Sequence, residues 1–373
     1  MKKLLTVMAA ALAVGCGSNS STEVGSANFT ATPLNVTYVD QNASLRGDVT
    51  LGSDVFVAPF ARLDGAVQVG DRSNVQDNCS VEGAVSIGPD SAVAHGARVV
   101  GPARLVGKNF VGFNSLVEGA TLEEGAFVEL LARVGPGVRL RGMRVLPGKN
   151  VTNQAEADDP ALGKVAPVGQ PQADFLAGVV KVNVELAHGY NVLTRSQGTL
   201  TGFGPNPITQ FTPLSVLPSI AGQFVNDPAF RNRVVGNVRL EDSVAELATK
   251  MGFRDSVRAD EGQRIGLGRL GSMGDEVTFH ALEDTGVECG TGCHFGRHAV
   301  IHGGSDDTVG SDGTHLGDNV RVGDYAIVFR SDLASGCVVG ERAVIDRCQF
   351  PAGTVIGPRE VWVGNQRQGL VEW

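Results

Sequence analysis

Aromatic side chains are scarce in this chain: Trp, Tyr and Phe together make up 6% of its 373 residues. That excludes a broad globular core built from rings, and leaves aliphatic packing as the way to bury surface. Cysteine is sparse as well, with 6 residues, too few for a small disulfide-stapled scaffold. Basic residues are outnumbered, 31 against 40 acidic, and the formal net charge is −9. The Lys and Arg residues are scattered and form no patch, which argues against nucleic acid as a partner. The apolar run from Leu4 to Val14 is too short to span a bilayer stably.

What the chain does have is glycine, 50 residues of it, and a strict aliphatic rhythm. Thirteen aliphatic residues stand six apart: Leu45, Leu51, Val57, Leu63, Val69, Val75, Val81, Ile87, Val93, Val99, Leu105, Val111 and Val117. A period of six is neither the 3.6 of a helix nor the simple alternation of a strand. Short repeats of this kind mark a parallel β-helix whose coils stack on one another. Each hexad supplies one short strand of a three-sided prism. Residues 18 apart therefore lie on the same face, separated by about one strand spacing (~4.8 Å).

The N-terminus opens with Lys2-Lys3, then the apolar run, then Gly15-Cys16, the build of a cleaved export signal. Ala13-Val14-Gly15-Cys16, followed by Gly17 and a Ser/Asn-rich stretch, resembles a bacterial lipoprotein signal with Cys16 as the acylated residue. That resemblance implies an exported protein held to the membrane only by a lipid anchor, at the periplasmic face of the outer membrane or the cell surface. Five other cysteines remain: Cys79, Cys289, Cys293, Cys337 and Cys348. Between Cys289 and Cys293, a local disulfide or plain burial is expected rather than half a metal site.

The expected organisation is a signal over 1–15, a tether over 16–34, a first β-helix over 35–193, a linker over 194–213 and a second β-helix over 214–373. The fold class is an all-β solenoid: two tandem left-handed parallel β-helices of hexapeptide repeats. The spacing predicts a flanking amphipathic α-helix from Asp174 to His188, after the first prism. In the second, the six-residue pattern returns only in pieces, as in Leu316-Gly-Asp-Asn-Val-Arg-Val322, so loops are expected between its coils.

Gly70-Asp-Arg-Ser-Asn-Val-Gln-Asp77, Ala94-His95-Gly96, Asn153-Gln-Ala-Glu-Ala-Asp158 and Val182-Asn-Val-Glu-Leu-Ala-His-Gly-Tyr190 together resemble a γ-class carbonic anhydrase. The second half resembles the same family through Arg258-Ala-Asp-Glu-Gly262, Phe279-His-Ala-Leu-Glu283 and Val300-Ile-His-Gly303. In that family each zinc sits between neighbouring prisms, one giving two His and the other one. Neither half here matches the full set. The first keeps His95 but has Glu82 and Val100 in place of the paired His, and Gly65 in place of a Glu. The second keeps His280 and His302, with Arg297 in place of the third His and Ser272 and Gly274 in place of the Asn and Gln.

The losses fall on opposite faces, and the resemblance then implies one composite site. His95 of the first prism would join His280 and His302 of the second around Zn2+, or Fe2+ or Co2+. Gln76, oriented by Asn74, would face the reacting water, and Glu261 and Glu283 would carry its proton away. CO2 and bicarbonate would be the substrates, and side-by-side prisms imply a homo- or hetero-oligomer. Arg62 with Asp64, and Arg258 with Asp260, resemble the ion pairs that tie prisms together. Arg297 would meet Glu82 at the reverse interface and keep metal out of it. Three alternatives stay open: a one-residue slip making His298 the third ligand, an inactive envelope scaffold, and a hexapeptide-repeat acyltransferase.

Overall fold

The computed structural model describes residues 36–197, 203–204, 219–220, 231–261, 263–282, 285–304 and 313–373. Cys16, Glu283, the tether and most of the expected linker lie outside them. No helix among the described residues is long and apolar enough to cross a membrane.

Two prisms of short parallel strands make up the described chain, each bounded by three sheets. In the first, sheet A begins at Tyr38–Val39 and runs through Phe56–Val57, Asn74–Val75, Ala92–Val93, Phe110–Val111 and Phe127–Val128 to Met143–Val145. Val165–Pro167 closes it by pairing antiparallel to Met143–Val145. Sheet B, from Ser44–Arg46 to Asn150–Val151, and sheet C, from Val49–Leu51 to Arg139–Leu140, form the other two walls. The register is the expected 18: Phe56 pairs with Asn74, Asn74 with Ala92, and Ala92 with Phe110. It tightens by one residue where Phe110 pairs with Phe127. Asp64, Glu82 and Val100 stack as one row of sheet B, as the spacing requires.

From Val57 onward the hexad residues point inward, whereas Leu45 in the first coil is exposed. Val57, Leu63, Val75, Val81, Val93, Val99, Val111 and Val117 are all 0% exposed and form one continuous aliphatic core. At the corners, Asn78 and Asn114 take φ of 58° and 53°. Asn tolerates the left-handed region better than most side chains, which suits it to a sharp corner.

The second prism is bounded by sheet D (Phe203–Gly204 to Gln366–Leu370), sheet E (Ser219–Ile220 to Gln349–Phe350) and sheet F (Ser272–Met273 to Val355–Ile356). Its broken register is visible in sheet D, where Ser256 pairs with Thr278, Thr278 with Val300, and Val300 with Ile327. Its core is mainly aliphatic, through Val257, Ile301, Val328 and Ile345, with Phe279 and Phe295 packed edge to face among them. Cys79, Cys289, Cys293, Cys337 and Cys348 are all buried free thiols, so plain burial, not a local disulfide, accounts for Cys289 and Cys293.

Among the described residues three α-helices accompany the prisms: α1 (Gln154–Asp158), α2 (Gln170–Gln197) and α3 (Val244–Lys250). α2 is longer than the expected helix at both ends and continues past residue 193, the expected end of the first domain. Sheet A of the first prism and sheet D of the second face each other across one apolar cluster. Phe110, Phe113 and Phe127 meet Val300, Ile327 and Phe329 there, and Leu176 and Val179 of α2 cover it. The C-terminus returns to the first prism, where the Trp373 indole N–H donates to the Leu131 carbonyl at 2.8 Å.

Candidate metal centre

The corner of the first prism after sheet A carries Gln76, Asp77, His95 and Phe113. Because Val75 pairs with Val93, His95 stands one coil above Asp77, and Gln76 aligns with Ala94. On sheet D, His280 and His302 are direct partners in adjacent strands, and His302 pairs in turn with Phe329. Docking the two faces brings together three imidazoles that lie far apart in sequence. His95, His280 and His302 are all buried, with potential ligand nitrogens within 4.8 Å of one another. Their ring centroids are 5.1 to 5.2 Å apart.

The second nitrogen of each ring is placed by the protein. His302 Nδ1–H donates to the Gly303 carbonyl at 2.7 Å, which leaves the Nε2 lone pair facing inward. His280 Nε2 lies 3.1 Å from Asp260 Oδ1 and 3.2 Å from Glu261 Oε1, so it carries the proton and turns Nδ1 toward His302 Nε2 at 3.3 Å. Two lone pairs cannot face each other at that distance without a cation or a proton between them. In the metal-free site a proton on His280 Nδ1 fills that place, and a metal ion would displace it. His95 Nδ1 is 3.1 Å from Asp77 Oδ2, and both of its ring nitrogens are buried without a geometrically formed hydrogen bond among the described residues. Three buried imidazoles clustered in this way are the donor set of a three-imidazole metal site.

Behind the histidines, Arg258 joins the two prisms. Its Nη2 is 2.8 Å from Asp77 Oδ2, and its Nη1 also pairs with Asp260. Ser256 donates to Asp77 at 2.6 Å, and Tyr190 of α2 donates to Asp260. One guanidinium thus supports the carboxylates behind both His95 and His280, the arrangement that fixes imidazole orientation in metal sites. The ionisation directions follow. Burial raises Asp77, but Arg258 and His95 outweigh it and hold the carboxyl well below its usual range. Burial lowers His95 to about 4 despite Asp77. For His280, burial and Arg258 push down, yet Glu261 and Asp260 outweigh them and raise it to about 9. Burial, then His280 and His95, hold His302 well below the usual imidazole range.

A cavity of about 270 Å³ opens beside the histidines, lined by Gln76, Glu261, His280 and His302, by Phe110, Phe113 and Phe329, and by the α2 face that includes Val179, Val182 and Asn183.

Several expected contacts differ from those observed. Arg62 pairs with Glu276 of the second prism at 3.1 Å, not with Asp64, which is exposed on sheet B. Asn74 is fully buried, but neither amide atom has a partner among the described residues, so it does not hold Gln76. Arg297 pairs with Asp324 of its own prism at 3.0 Å rather than with Glu82. His298 lies against Glu276 at 3.1 Å and stacks on Tyr325, outside the triad, so it is no third ligand. Asp77 was missed as a site residue, although its spacing of 18 from His95 was the signal that could have found it.

No protein-family model and no curated protein matches the sequence. Solved structures do. A provisionally named acetyltransferase from Desulfovibrio desulfuricans G20 is 22% identical, with a TM-score of 0.34 over 43% of this chain and 39% of that one. A hexapeptide transferase family protein from Anaplasma phagocytophilum is 18% identical, with a TM-score of 0.24 over 41% of this chain and 92% of its own. An Arabidopsis UDP-N-acetylglucosamine acyltransferase is 12% identical, with a TM-score of 0.20 over 90% of this chain and 74% of its own. The stacked parallel strands and their register of 18 make the fold a hexapeptide-repeat β-helix. The expectation of CO2 hydration is corrected here: the named neighbours are acetyl- and acyltransferases of this fold, and none of them is a carbonic anhydrase. At these identities the likeness of the hexapeptide-repeat β-helix to them concerns fold, and the chemistry must be argued from the site.

Proposed function

We propose that His95, His280 and His302 hold one divalent metal ion, zinc, between the two prisms, and that the protein is a metal-dependent enzyme using water against a small electrophilic substrate in the adjoining cavity. The convergence of three inward-facing imidazole nitrogens, with Asp77, Asp260 and the Gly303 carbonyl behind them, carries this reading. The resemblance to the γ-class family is kept for the ligand arrangement alone, not for the reaction. Zinc on three neutral imidazoles with an open position lowers the pKa of a bound water to about 7 and polarises a substrate oxygen. Imidazole sites also accept Fe2+ and Co2+.

The chain's own groups have separate tasks. Gln76 lines the cavity with an amide that both donates and accepts, and so orients an oxygen there. Glu261, buried beside His280, is placed to accept a proton from a reacting group in the cavity. Phe110, Phe113, Phe329 and Val179 exclude bulk water, which strengthens every polar interaction inside. Export and lipid attachment through Cys16, and side-by-side assembly of further prisms, complete the proposal.

Metal analysis of the purified full chain tests it. About one zinc per chain is expected, lost in both His95→Ala and His302→Ala. A wild type without metal, or a His95→Ala variant that keeps it, overturns the reading; a metal-free, inactive protein would leave the scaffold role. Acyl transfer is a second reading, favoured by the buried His95–Asp77 pair, which has the form of an imidazole base held by a carboxylate. Acyl transfer by the metal-free protein, abolished in His95→Ala, would select it.

A further inference from the structure

The cavity beside the histidines opens to solvent along α2. Among the described residues that line it, only Asp174 and Gly178 are exposed; Phe175 and Leu282 are half-buried, and the rest, the histidines and Glu261 included, are buried. Three of the four that reach solvent stand on one stripe of α2. Asp174, Phe175, Gly178, Val179, Val182 and Asn183 recur at alternating steps of one and three, the pattern that a helix turns to one side. Every position of that stripe carries a side chain except Gly178.

The glycine has no structural reason to be there. It lies inside the helix and outside the left-handed region, and a Cβ added to it would meet nothing within 4 Å. Neither backbone conformation nor close packing excludes alanine, and glycine is the less stable choice in a helix interior. Proteins break a local rule of this kind chiefly at functional sites. The neighbours keep the gap open. Gln170 donates to Asp174 Oδ1 at 2.8 Å and holds that carboxylate back along the helix. Phe175 packs edge to face on Phe110, with ring centroids 5.4 Å apart.

Volume and lining limit what passes. A dry cavity of about 150 Å³ holds benzene and drug-sized ligands fill about 300–1,000 Å³, whereas this one measures about 270 Å³. Phe110, Phe113, Phe175 and Phe329 line it, and no Lys or Arg does. We propose that Gly178 is the portal of the histidine cavity, and that what enters is a compact, largely apolar compound the size of a substituted benzene. That the compound reacts at the histidines rests on the metal-centre reading; that it enters at Gly178 does not. A larger side chain here would close the way. Helical side chains lean over the preceding turn, and that turn presents Asp174 and Phe175 at the mouth.

The probe is 4-fluorobenzyl alcohol, its exchange between free and bound forms followed by fluorine NMR on the full chain. Gly178→Leu should slow association and dissociation together by about tenfold or more and leave Kd within about threefold, as a blocked entrance does and a lost contact does not. Gly178→Ala should fall between. Ala177→Leu, exposed on α2 but facing a different groove, should exchange at the wild-type rate. Urea unfolding shows that the variants fold, and there Gly178→Ala should raise the folding equilibrium constant about two- to fivefold. His95→Ala should lose metal yet exchange the probe as wild type does. A wild type without metal whose exchange still depends on Gly178 would overturn the metal reading alone. No binding of the probe to wild type, unchanged exchange in a folded Gly178→Leu variant, weaker binding there at an unchanged association rate, or a Gly178→Ala variant less stable than wild type would each overturn the portal.

Discussion

Replacing Arg258 by Met tests whether one side chain supports both halves of the site. Arg258 is 1% exposed and contacts two carboxylates, Asp77 and Asp260, each 0% exposed. Met keeps much of the apolar stem but leaves both carboxylates without their cation. Breaking one buried pair by removing a partner costs about 3–5 kcal/mol, because an uncompensated charge stays behind. Two stranded carboxylates place this variant at the upper end or beyond, even with Ser256, Tyr190 and the histidines still donating to them. For a chain of this length, that corresponds to a fall in Tm of roughly 5–10 °C. The same change frees Asp77 and Asp260 to turn away from His95 and His280, so metal affinity should fall 10–100-fold, the usual effect of losing an outer-shell partner. Thermal unfolding and zinc competition with a chelator read the two effects separately. Adding Asp77→Asn should recover part of the stability, since it removes one stranded charge. Arg258→Met with stability within about 1 kcal/mol of wild type and unchanged metal affinity would refute the argument.

Two further predictions concern the prisms. A Cβ added at Gly88 would lie 1.9 Å from the Val106 carbonyl oxygen in the next coil, so Gly88→Ala must push two rungs apart. It should cost a few kcal/mol, whereas Gly125→Ala, with φ +74° but nothing within 4 Å, should cost only about 1–2 kcal/mol; denaturant midpoints that do not differ would refute this. The second concerns Asp255, whose carboxyl burial raises well above its usual value, against the hydrogen bond from the Val277 N–H. A raised folded pKa means that its contribution is present below the unfolded value of about 3.9 and is lost as pH rises through the folded one. The Tm of Asp255→Asn minus that of wild type should therefore grow from about pH 4 upward, and a difference independent of pH would sink the assignment.

The first prism was legible because its hexads are uninterrupted. Once the period is six, rung partners such as Asp64 and Glu82 follow by counting, and so does the row of Val100. The second prism resisted counting because Ser256, Thr278, Val300 and Ile327 stack at unequal spacings. His95, His280 and His302 were named from the resemblance and from the complementary losses on two faces. Of the contacts behind them, the Arg258–Asp260 pair was expected and is present, and the others were not foreseen. Arg62 finds Glu276 across 214 positions of sequence, and Asn74 is left with no hydrogen-bond partner among the described residues. Neither outcome can be counted from a repeat, because each depends on how one prism sits against the other.

Local periodicity, then, determined the coil, its inward aliphatic core and the face on which each candidate residue stands, since side-chain direction in a strand follows from position alone. Docking decided the rest. The approach of sheet A to sheet D, covered by α2, set the distances among the three imidazoles, the sharing of Arg258 between two carboxylates and the cavity beside the histidines. Those are contacts between surfaces whose complementarity is spread over three dimensions, and a one-dimensional repeat carries no register for them.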